Sequence, residues 1–321
     1  MLPEFPQFKH IELSDKEDVE AITGEYPPYS DFNFVSMWSW DIRGEMRLSV
    51  LYGNLVVRFT DYLTGQPFYS FIGENKVNET AKALLQLSKK EKLKPMLKLV
   101  PEFTVKLLDS KFNVAEDRDN FDYLYTVANL ATLKGNSFQT QRNLINQFLK
   151  THEGWSIKVV NFNEISQKNS ILTLFSRWII NRKNVTAHRG NVVSFFTKWI
   201  KVKPNALMQQ EYENEFLSLN KLLTISNSSK FNLMCFEIYV KNALIGFVIN
   251  ESVGEYNIIH FEKADTSFKG SYQLLMQENS KMLHDNNIRY LNFEQDLGVE
   301  SLRFAKTKFK PSSFLKKYTV K

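Results

Sequence analysis

The residues best suited to acid–base chemistry follow an apolar segment, Tyr290–Phe293, near the C-terminus. This segment continues directly into Glu294, Gln295 and Asp296. A carboxylate at the end of a strand can accept a proton from an attacking amine. We therefore predict Glu294 and Asp296 as catalytic residues, acting as general base or in recognition of an amine. The alternatives are helix capping by Asp296 and a structural salt bridge of Glu294.

Further polar residues lie on the predicted strands beside this site. Asn292 shares a strand face with Glu294, and His260 shares a face with Glu262 on the predicted strand Tyr256–Lys263, since side chains alternate along a strand. We predict Asn292, His260 and Glu262 as substrate ligands. A satisfied interior histidine is the alternative for His260.

A Lys-Gly-Ser turn opens the long helix that follows. Free backbone N–H groups and the dipole at a helix start attract phosphate, and a glycine allows close approach of the backbone. We predict that Lys269 and the amides of Gly270 and Ser271 hold a donor phosphate, with an ordinary helix start as the alternative. Tyr272 and Asn279 fall in the apolar stripe of this helix. They are predicted substrate ligands, and a satisfied core amide is the alternative for Asn279.

Four basic residues lie on or beside apolar helix faces. Lys306 and Arg303 adjoin the stripe of the predicted helix Val299–Lys306, and Arg142 adjoins another stripe, with Lys134 upstream. A cation in such a position finds a partner or snorkels to solvent. We predict that Arg303 and Lys306 face a phosphate or carboxylate. Arg142 and Lys134 are predicted to mark an anion site near a domain junction.

The charge of the chain is unevenly placed. Residues 1–127 carry 15 Lys/Arg and 20 Asp/Glu, whereas residues 128–321 carry 26 and 15, within a net charge of +6. The stretch 165–210 contains no acid and eight basic residues. This asymmetry suits a polyanionic partner such as a phosphorylated cofactor, tRNA or an anionic lipid surface. An ordinary solvated basic face is the alternative.

Composition excludes several classes of protein. The single Cys235 rules out an intramolecular disulfide and a Cys-based zinc site. The spacing of His, Asp and Glu resembles no metal site. No apolar run approaches the ~18 residues of a membrane span, and the N-terminus lacks the layout of a signal peptide. We expect a cytoplasmic protein without integral membrane association.

The helices and strands predicted from the sequence, which position these residues, indicate a mixed α/β (α+β) fold. Both halves show the order helix, antiparallel strands, helix, strand, helix, strand, which suggests two domains, 1–150 and 151–321, with a boundary near Lys150–Gly154 and the predicted site in the second. Asp15–Thr23 is a predicted helix with Ser14 as N-cap and Glu17 at the capping-box position. A predicted helix from Phe162 is capped by Asn161 or Asn163, and Phe314–Val320 is predicted as one final strand.

Four segments resemble the family named for the C-terminal domain of phosphatidylglycerol lysyltransferase. They are PYSDFNF (Pro28–Phe34) with Trp38 and Trp40, FDYLYTVANLATLKGNSFQTQRNLINQF (Phe121–Phe148), FKGSYQLLMQE (Phe268–Glu278) and YLNFEQDLGVESLRFAKTKFKP (Tyr290–Pro311). That family is similar to the tandem GNAT-fold transferases, which include the Fem-type enzymes. The resemblance implies two GNAT-like modules with mixed, largely antiparallel sheets flanked by helices.

The resemblance also implies a function. Fem-type enzymes move an aminoacyl group from aminoacyl-tRNA to an amine or a lipid hydroxyl. We therefore expect an acyl or aminoacyl transferase that needs no cofactor, or that takes its acyl group from acyl-coenzyme A. The alternatives are a non-catalytic GNAT-fold module that binds a phosphorylated ligand and a coenzyme A-dependent N-acetyltransferase.

Overall fold

The chain forms two compact units. A computed structural model of the protein describes residues 1–61, 64–160, 164–183, 206–225 and 230–321, with side chains left out at 180–183 and 206–211. Unit 1 contains Met1–Leu124 and Asn292–Lys321, and unit 2 contains Tyr125–Leu291. The predicted boundary near Lys150–Gly154 lies inside unit 2, because the C-terminal segment groups with the N-terminal one. Two modules at 1–150 and 151–321 stay a prediction.

Helices and strands alternate along the described residues. The helices are α1 (Lys16–Thr23), α2 (Phe34–Trp40), α3 (Val77–Lys90), α4 (Glu102–Val105), α5 (Val127–Thr132), α6 (Gln139–Thr151), α7 (Ile165–Lys183), α8 (Ala206–Ile225), α9 (Ser271–Asp285) and α10 (Glu300–Lys308). The strands are β1 (Lys9–His10), β2 (Arg47–Leu51), β3 (Asn54–Thr60), β4 (Pro67–Ile72), β5 (Leu97–Pro101), β6 (Val114–Glu116), β7 (Asp122–Thr126), β8 (Trp155–Val160), β9 (Leu233–Val240), β10 (Ala243–Val253), β11 (Tyr256–Ala264), β12 (Tyr290–Asn292), β13 (Ser313–Leu315) and β14 (Lys317–Val320).

The strands form two mixed sheets of seven. The first has the order β1-β2-β3-β4-β5-β14-β6 and lies within unit 1. Its neighbours are antiparallel except β4 and β5, which run parallel and are joined through α3. The second sheet has the order β13-β7-β12-β11-β10-β9-β8. In unit 2, β8 to β11 form an antiparallel meander.

The final segment of the chain is two strands, so the prediction of one strand at Phe314–Val320 is wrong. In β13, Ser313 pairs with Leu124 of β7 in the second sheet. In β14, Lys317 pairs with Pro101 of β5, and Val320 pairs with Val114 of β6, in the first sheet. The alternation of side chains gave no sign of the change of sheet, which takes place at Lys316.

Tight turns set the register of the antiparallel pairs. The hairpin between β2 and β3 turns on Tyr52 and Gly53, and that between β9 and β10 turns on Lys241 and Asn242. All four residues have positive φ, as a two-residue turn that matches strand twist requires. The sequence predicts both hairpins: the second at Lys241-Asn242, as observed, and the first at Gly53-Asn54, one residue after its observed position.

The start of α1 differs from the prediction of a Ser14 cap. A short 3-10 turn, Leu13–Asp15, precedes the helix, and the capping box is formed by Glu12 and Asp15. The backbone N–H of Glu12 donates to Asp15 Oδ2 at 2.9 Å. The two carboxylates thus satisfy the backbone amides of Glu12 and Asp15 at the 3-10 turn, and α1 itself begins without a side-chain cap. The predicted caps Asn161 and Asn163 lie outside the described residues.

A core on one face of the first sheet holds unit 1 together. Val77, Ala81 and Leu84 lie one helical turn apart on α3 and are almost completely buried. They pack in one cluster with strand residues such as Phe71 and Leu97. Spacing of three or four residues places apolar side chains on one helix face, which explains why this segment forms an amphipathic helix.

In unit 2, close approach of two helices requires a glycine at the start of α9. Gly270 has φ +95°, and a Cβ atom there would lie 2.3 Å from the Leu144 carbonyl oxygen and 3.2 Å from Phe148 Cβ. Both neighbours belong to α6. Glycine at position 270 therefore permits both the close packing of the start of α9 on α6 and the left-handed backbone at that start.

We predict that Gly270→Ala lowers the free energy of unfolding by about 2–4 kcal/mol, because it adds a clash with backbone to the cost of a left-handed alanine. Gly254→Ala is the matched control, since Gly254 also has positive φ but nothing lies within 4 Å of its added Cβ. The control should lose only ~1 kcal/mol. Urea unfolding of both variants tests this, and equal losses would contradict the packing role.

Candidate acid–base site in unit 1

The predicted site residues at the end of β12 lie in an irregular loop. The strand ends at Asn292, two residues before the end of the strand Ile288–Glu294 that the sequence predicts, and Glu294 has a left-handed backbone with φ 52°. Three internal hydrogen bonds hold this conformation. The Glu294 N–H donates to Asn292 Oδ1 at 2.8 Å, and Lys306 Nζ donates to the carbonyl oxygens of Phe293 and, at 2.7 Å, Gln295. A non-glycine residue keeps such a backbone where its surroundings fix it.

Lys306 therefore binds two backbone carbonyl oxygens of this loop. Its side chain is buried, as the sequence indicated, and its ammonium lies 4.8 Å from the centre of the Phe293 ring. Snorkelling to solvent, the alternative considered for Lys306, does not occur. The half-buried Glu294 side chain accepts a hydrogen bond from Ser36 Oγ at 3.3 Å.

Asp296 forms the centre of a second set of contacts. Arg303 binds it with two hydrogen bonds, Nε to Oδ2 at 2.9 Å and Nη2 to Oδ1 at 2.8 Å. Tyr123 OH donates to Oδ2 at 2.5 Å, and the Gly298 N–H donates to Oδ1 at 2.9 Å. Arg303 also reaches Asp119 Oδ1 at 2.6 Å. Arg303 thus faces carboxylates, as predicted, but those of the protein itself.

These contacts keep Asp296 ionised. Burial alone would raise its pKa, but the hydrogen bonds of Arg303 and Tyr123 hold the pKa of Asp296 below its usual value. The same pairing raises the pKa of Arg303. A buried carboxylate with all these donors is a weak proton acceptor. The geometry favours a structural role for Asp296. This role is not the helix capping considered from the sequence, because the N-cap of α10 is Val299 and has no side-chain cap hydrogen bond.

Beside this loop lies a buried group that the sequence analysis missed. The ammonium of Lys317 sits between two carboxylates, in contact with Asp31 Oδ2 and 2.6 Å from Asp122 Oδ1. Lys317 and Asp122 have no exposed surface, and Asp31 is 4% exposed. Burial lowers the pKa of Lys317, but its contacts with Asp122 and Asp31 have a larger, opposite effect. The pKa of Lys317 is therefore raised above its usual value. Burial raises the pKa of Asp31 to about 6 against the opposing effect of Lys317.

Neutral hydrogen-bond donors surround the buried triad of Lys317, Asp31 and Asp122. The Ser30 N–H donates to Asp122 Oδ2 at 2.8 Å, and Asn292 Nδ2 donates to the same oxygen at 3.3 Å. Gln295 Nε2 donates to Asp31 Oδ1 at 3.3 Å. The predicted ligand Asn292 therefore serves both the triad and the Glu294 backbone. A signal in the sequence existed, because Asp31 and Asp122 are charged residues inside aromatic, apolar segments.

A cavity of about 210 Å³ opens in unit 1 against these residues. Its lining includes Asp31 of the triad and Asp119, the second partner of Arg303. Leu99 and Leu297, also in the lining, have positive φ values of 59° and 54°. Within the described part of the chain, no three His, Cys, Asp or Glu side chains are arranged to hold a metal ion.

The structure brings together five predicted residues in unit 1, and the other nine belong to unit 2. Among these, His260 is 5% exposed, and its Nε2 lies 3.4 Å from Glu251 Oε2. The buried Asn279 accepts from Asn250 Nδ2 at 2.9 Å. Burial raises the pKa of Tyr272, and Glu262 is half-buried. Glu251 thus lies beside the histidine, and the Asn279 amide is satisfied through its oxygen, whereas no acceptor among the described residues reaches its buried Nδ2.

The predicted phosphate-binding turn has internal partners as well. The Ser271 N–H donates to the Phe268 carbonyl oxygen at 3.0 Å, and Ser271 Oγ donates to the Asp265 carbonyl oxygen at 3.3 Å. Gly270 packs against α6, and Lys269 is exposed. This geometry corresponds to the ordinary helix start.

Arg142, one of the two residues of the predicted anion site, also has partners within the protein. Arg142 Nη1 donates to the carbonyl oxygens of Leu133 and, at 2.7 Å, Gly135, so it fixes the loop before α6. Lys134 is exposed. Of the basic stretch 165–210, residues 184–205 lie outside the described part of the chain.

Solved structures share this fold. A conserved protein of unknown function from Bacteroides thetaiotaomicron has a TM-score of 0.74 and 25% identity, over 100% of this chain and 99% of that chain. L-PGS from Bacillus licheniformis has a TM-score of 0.57 at 13% identity, over 100% and 93%. FemX has a TM-score of 0.53 at 8% identity, over 98% and 96%. The predicted fold class, a tandem GNAT-like chain with mixed sheets flanked by helices, is confirmed.

The family follows from the sequence match. Residues 30–321 match the family described as phosphatidylglycerol lysyltransferase, C-terminal. The protein belongs to this family, as the resemblance indicated. An uncharacterized protein of Mycoplasmoides gallisepticum is 26% identical over 215 residues, which are 66% of this chain and 60% of that protein. None of the helices in the described ranges is long and apolar enough to cross a membrane.

We predict that Lys317→Met destabilises the protein by about 3–5 kcal/mol, because it leaves two buried carboxylates without their shared cation. Lys316→Met is the matched control on the adjacent residue, whose exposed side chain pairs with Glu116 at the surface. The control should change the free energy of unfolding little. Chemical denaturation of both variants tests this, and a tolerated Lys317→Met would show that the triad contributes little to stability.

Asp31 should make stability depend on pH. Its pKa is raised to about 6 in the folded protein, so its contribution is most favourable below the unfolded pKa of ~3.9 and is lost as pH rises towards 6. Relative to the wild type, Asp31→Asn should therefore gain stability as pH increases from about 4 to about 6. Urea unfolding at a series of pH values measures this difference, and parallel profiles would exclude a raised pKa.

Proposed function

We propose that this protein transfers an aminoacyl group from aminoacyl-tRNA to an amine or hydroxyl acceptor. Two findings support the proposal. The family takes its name from a lysyltransferase, and the chain shares its fold with FemX. Aminoacyl-tRNA is the donor that the resemblance to Fem-type enzymes implies, and this donor suits the predicted cytoplasmic location.

The observation that carries the proposal is the fixed position of Glu294 at the end of β12. Asn292 and Lys306 hold the loop around it, and its half-buried carboxylate accepts a hydrogen bond from Ser36 Oγ. A base is effective when its position is fixed before the reaction. Glu294 is therefore our choice for the proton acceptor, and Asp296 with Arg303 would position the loop.

The reaction would proceed without a covalent enzyme intermediate. The acceptor nitrogen or oxygen attacks the carbonyl carbon of the aminoacyl ester, and Glu294 takes the proton that the nucleophile releases. The tetrahedral intermediate then collapses, and the bond from the carbonyl carbon to the ribose oxygen breaks. Glu294 returns the proton to that oxygen as the tRNA leaves. The product is an amide or an ester of the acceptor.

The alternative is a binding module that retains the fold without the chemistry. Internal partners at the turn before α9 favour it, because Ser271 donates to Phe268 and Gly270 packs on α6. These contacts leave little of the phosphate cradle that coenzyme A would use. An acyl-coenzyme A donor is accordingly our less favoured proposal, and acetyl-coenzyme A belongs in the same assays as a competing donor.

We predict that Glu294→Gln lowers transfer about 10²–10⁴-fold, the usual range for loss of a general base, and leaves donor affinity unchanged. The measurement is single-turnover transfer of labelled aminoacyl groups to hydroxylamine as a generic nucleophile, alongside binding of charged and uncharged tRNA.

Glu300→Gln is the matched control, because Glu300 is exposed in the first turn of α10. It should behave as wild type. Transfer that survives Glu294→Gln would remove Glu294 as the base. Binding of charged tRNA without transfer by the wild type would favour the binding module instead.

A further inference from the structure

We propose that Ser36 is a positioning residue for the transfer reaction, which holds the Glu294 carboxylate in the orientation that accepts a proton. Ser36 Oγ donates to Glu294 Oε1 at 3.3 Å, and the serine is only 5% exposed. In this role Ser36 acts through Glu294 and contacts neither the donor nor the acceptor. The inference rests on the proposed function, because it assigns a further residue to the same site.

A contact at the carboxylate is needed because a fixed backbone does not by itself fix a glutamate side chain. Asn292 and Lys306 hold the backbone around Glu294. Several side-chain torsions still separate that backbone from the carboxylate oxygens, and the last of these torsions has broad preferences. A general base must lie within hydrogen-bond reach of the proton that it takes. The hydroxyl of Ser36 selects one orientation of the carboxylate.

Ser36 is itself fixed by the helix α2 that carries it. Its backbone N–H donates at 2.9 Å to Oδ1 of Asn33, which is the N-cap of α2. Its carbonyl oxygen accepts from Ser39 Oγ at 3.3 Å. The neighbouring side chains of Val35 and Met37 are at most 1% exposed. A group whose own position is locked by packing and hydrogen bonds can orient another group reliably.

The buried triad anchors the segment that precedes α2. The Ser30 N–H donates to Asp122 Oδ2 at 2.8 Å, so the start of this segment is held at the buried charges. Asn292 connects the same carboxylate to the backbone of Glu294. The contacts on Glu294, at its backbone and at its carboxylate, are thus both tied to the triad. Packing of α2 in the core does not require this arrangement.

The chemistry of the contact also suits a base. A hydroxyl that donates to a carboxylate stabilises the ionised form, and only the ionised form accepts a proton. At 3.3 Å the hydrogen bond is longer than is usual for a hydroxyl donor. Hydrogen bonds at catalytic sites are often this long until substrate binds. Loss of the Ser36 hydroxyl should therefore change both the orientation and the titration of the base.

We predict that Ser36→Ala lowers kcat for transfer ~10-fold and leaves KM for the donor unchanged, because the base is displaced and donor binding is not. The rising limb of the pH profile should move ~1 pH unit to higher pH, since the ionised carboxylate has lost a hydrogen-bond donor. Charged groups near Glu294, among them Asp31 and Lys306, remain in the variant. Steady-state transfer to hydroxylamine at a series of pH values measures both effects.

Ser88→Ala is the matched control, because Ser88 is a buried serine of α3 whose Oγ donates to the Leu84 carbonyl oxygen at 2.9 Å. It also removes a buried hydroxyl from a helix of unit 1 and should keep the wild-type pH profile. Alanine is a strong helix former, so both variants are expected to fold. A merely structural role of Ser36 would reduce the amount of folded protein without a shift of the profile. An unshifted profile in Ser36→Ala would therefore overturn the inference.

Crystal structures of the two variants separate this inference from the proposed function, since they do not depend on transfer. The Glu294 carboxylate should leave its wild-type position in Ser36→Ala and keep it in Ser88→Ala. That displacement, in a protein whose wild type transfers nothing, would uphold the positioning of Glu294 by Ser36 and overturn the proposed function. Transfer by the wild type, with an undisplaced carboxylate in Ser36→Ala, would do the reverse.

Discussion

The contact of one buried ammonium with two buried carboxylates is the constraint on which unit 1 depends. Lys317 comes from the last strand, Asp31 from the segment before α2, and Asp122 from the start of β7. Taking three charges out of water is costly, and their mutual attraction offsets that cost only if the geometry is good and neutral donors complete it. Ser30, Asn292 and Gln295 supply those donors.

The remainder of the candidate site is arranged around this contact. Asn292 hydrogen-bonds to the triad through its amide nitrogen and fixes Glu294 through its amide oxygen. The side-chain Nε2 of Gln295 donates to Asp31, while the backbone carbonyl oxygen of Gln295 accepts from Lys306 Nζ. Asn292 and Gln295, which lie on either side of Glu294 in the sequence, therefore also hydrogen-bond to the buried carboxylates of the triad. Preorganisation of this kind is what a catalytic or binding site requires, and a packed core alone does not supply it.

Much of the fold could be predicted from the sequence, because its elements follow from local periodicity. The apolar stripe of α3 and the two hairpins with positive φ are set by residues close to one another in the chain. The split between β13 and β14 could not be predicted, since it is determined by strand partners about two hundred residues away in the sequence. Of the candidate site, the sequence predicts the segment around Glu294, because its polar residues follow an apolar strand. Lys317 was missed because a lysine in a basic, exposed-looking tail gives no sign of a buried partner.

The division of the chain has a consequence for the order of folding during synthesis. Unit 2, Tyr125–Leu291, emerges from the ribosome before β14, although unit 1 begins the chain. Until β14 is made, β5 and β6 lack the strand that lies between them, and Asp31 and Asp122 lack their cation. The first sheet therefore stays incomplete until the C-terminal segment is made, whereas unit 2 can fold before that point. A domain that starts first and is completed last has a long period in which unpaired strand edges are exposed to other chains.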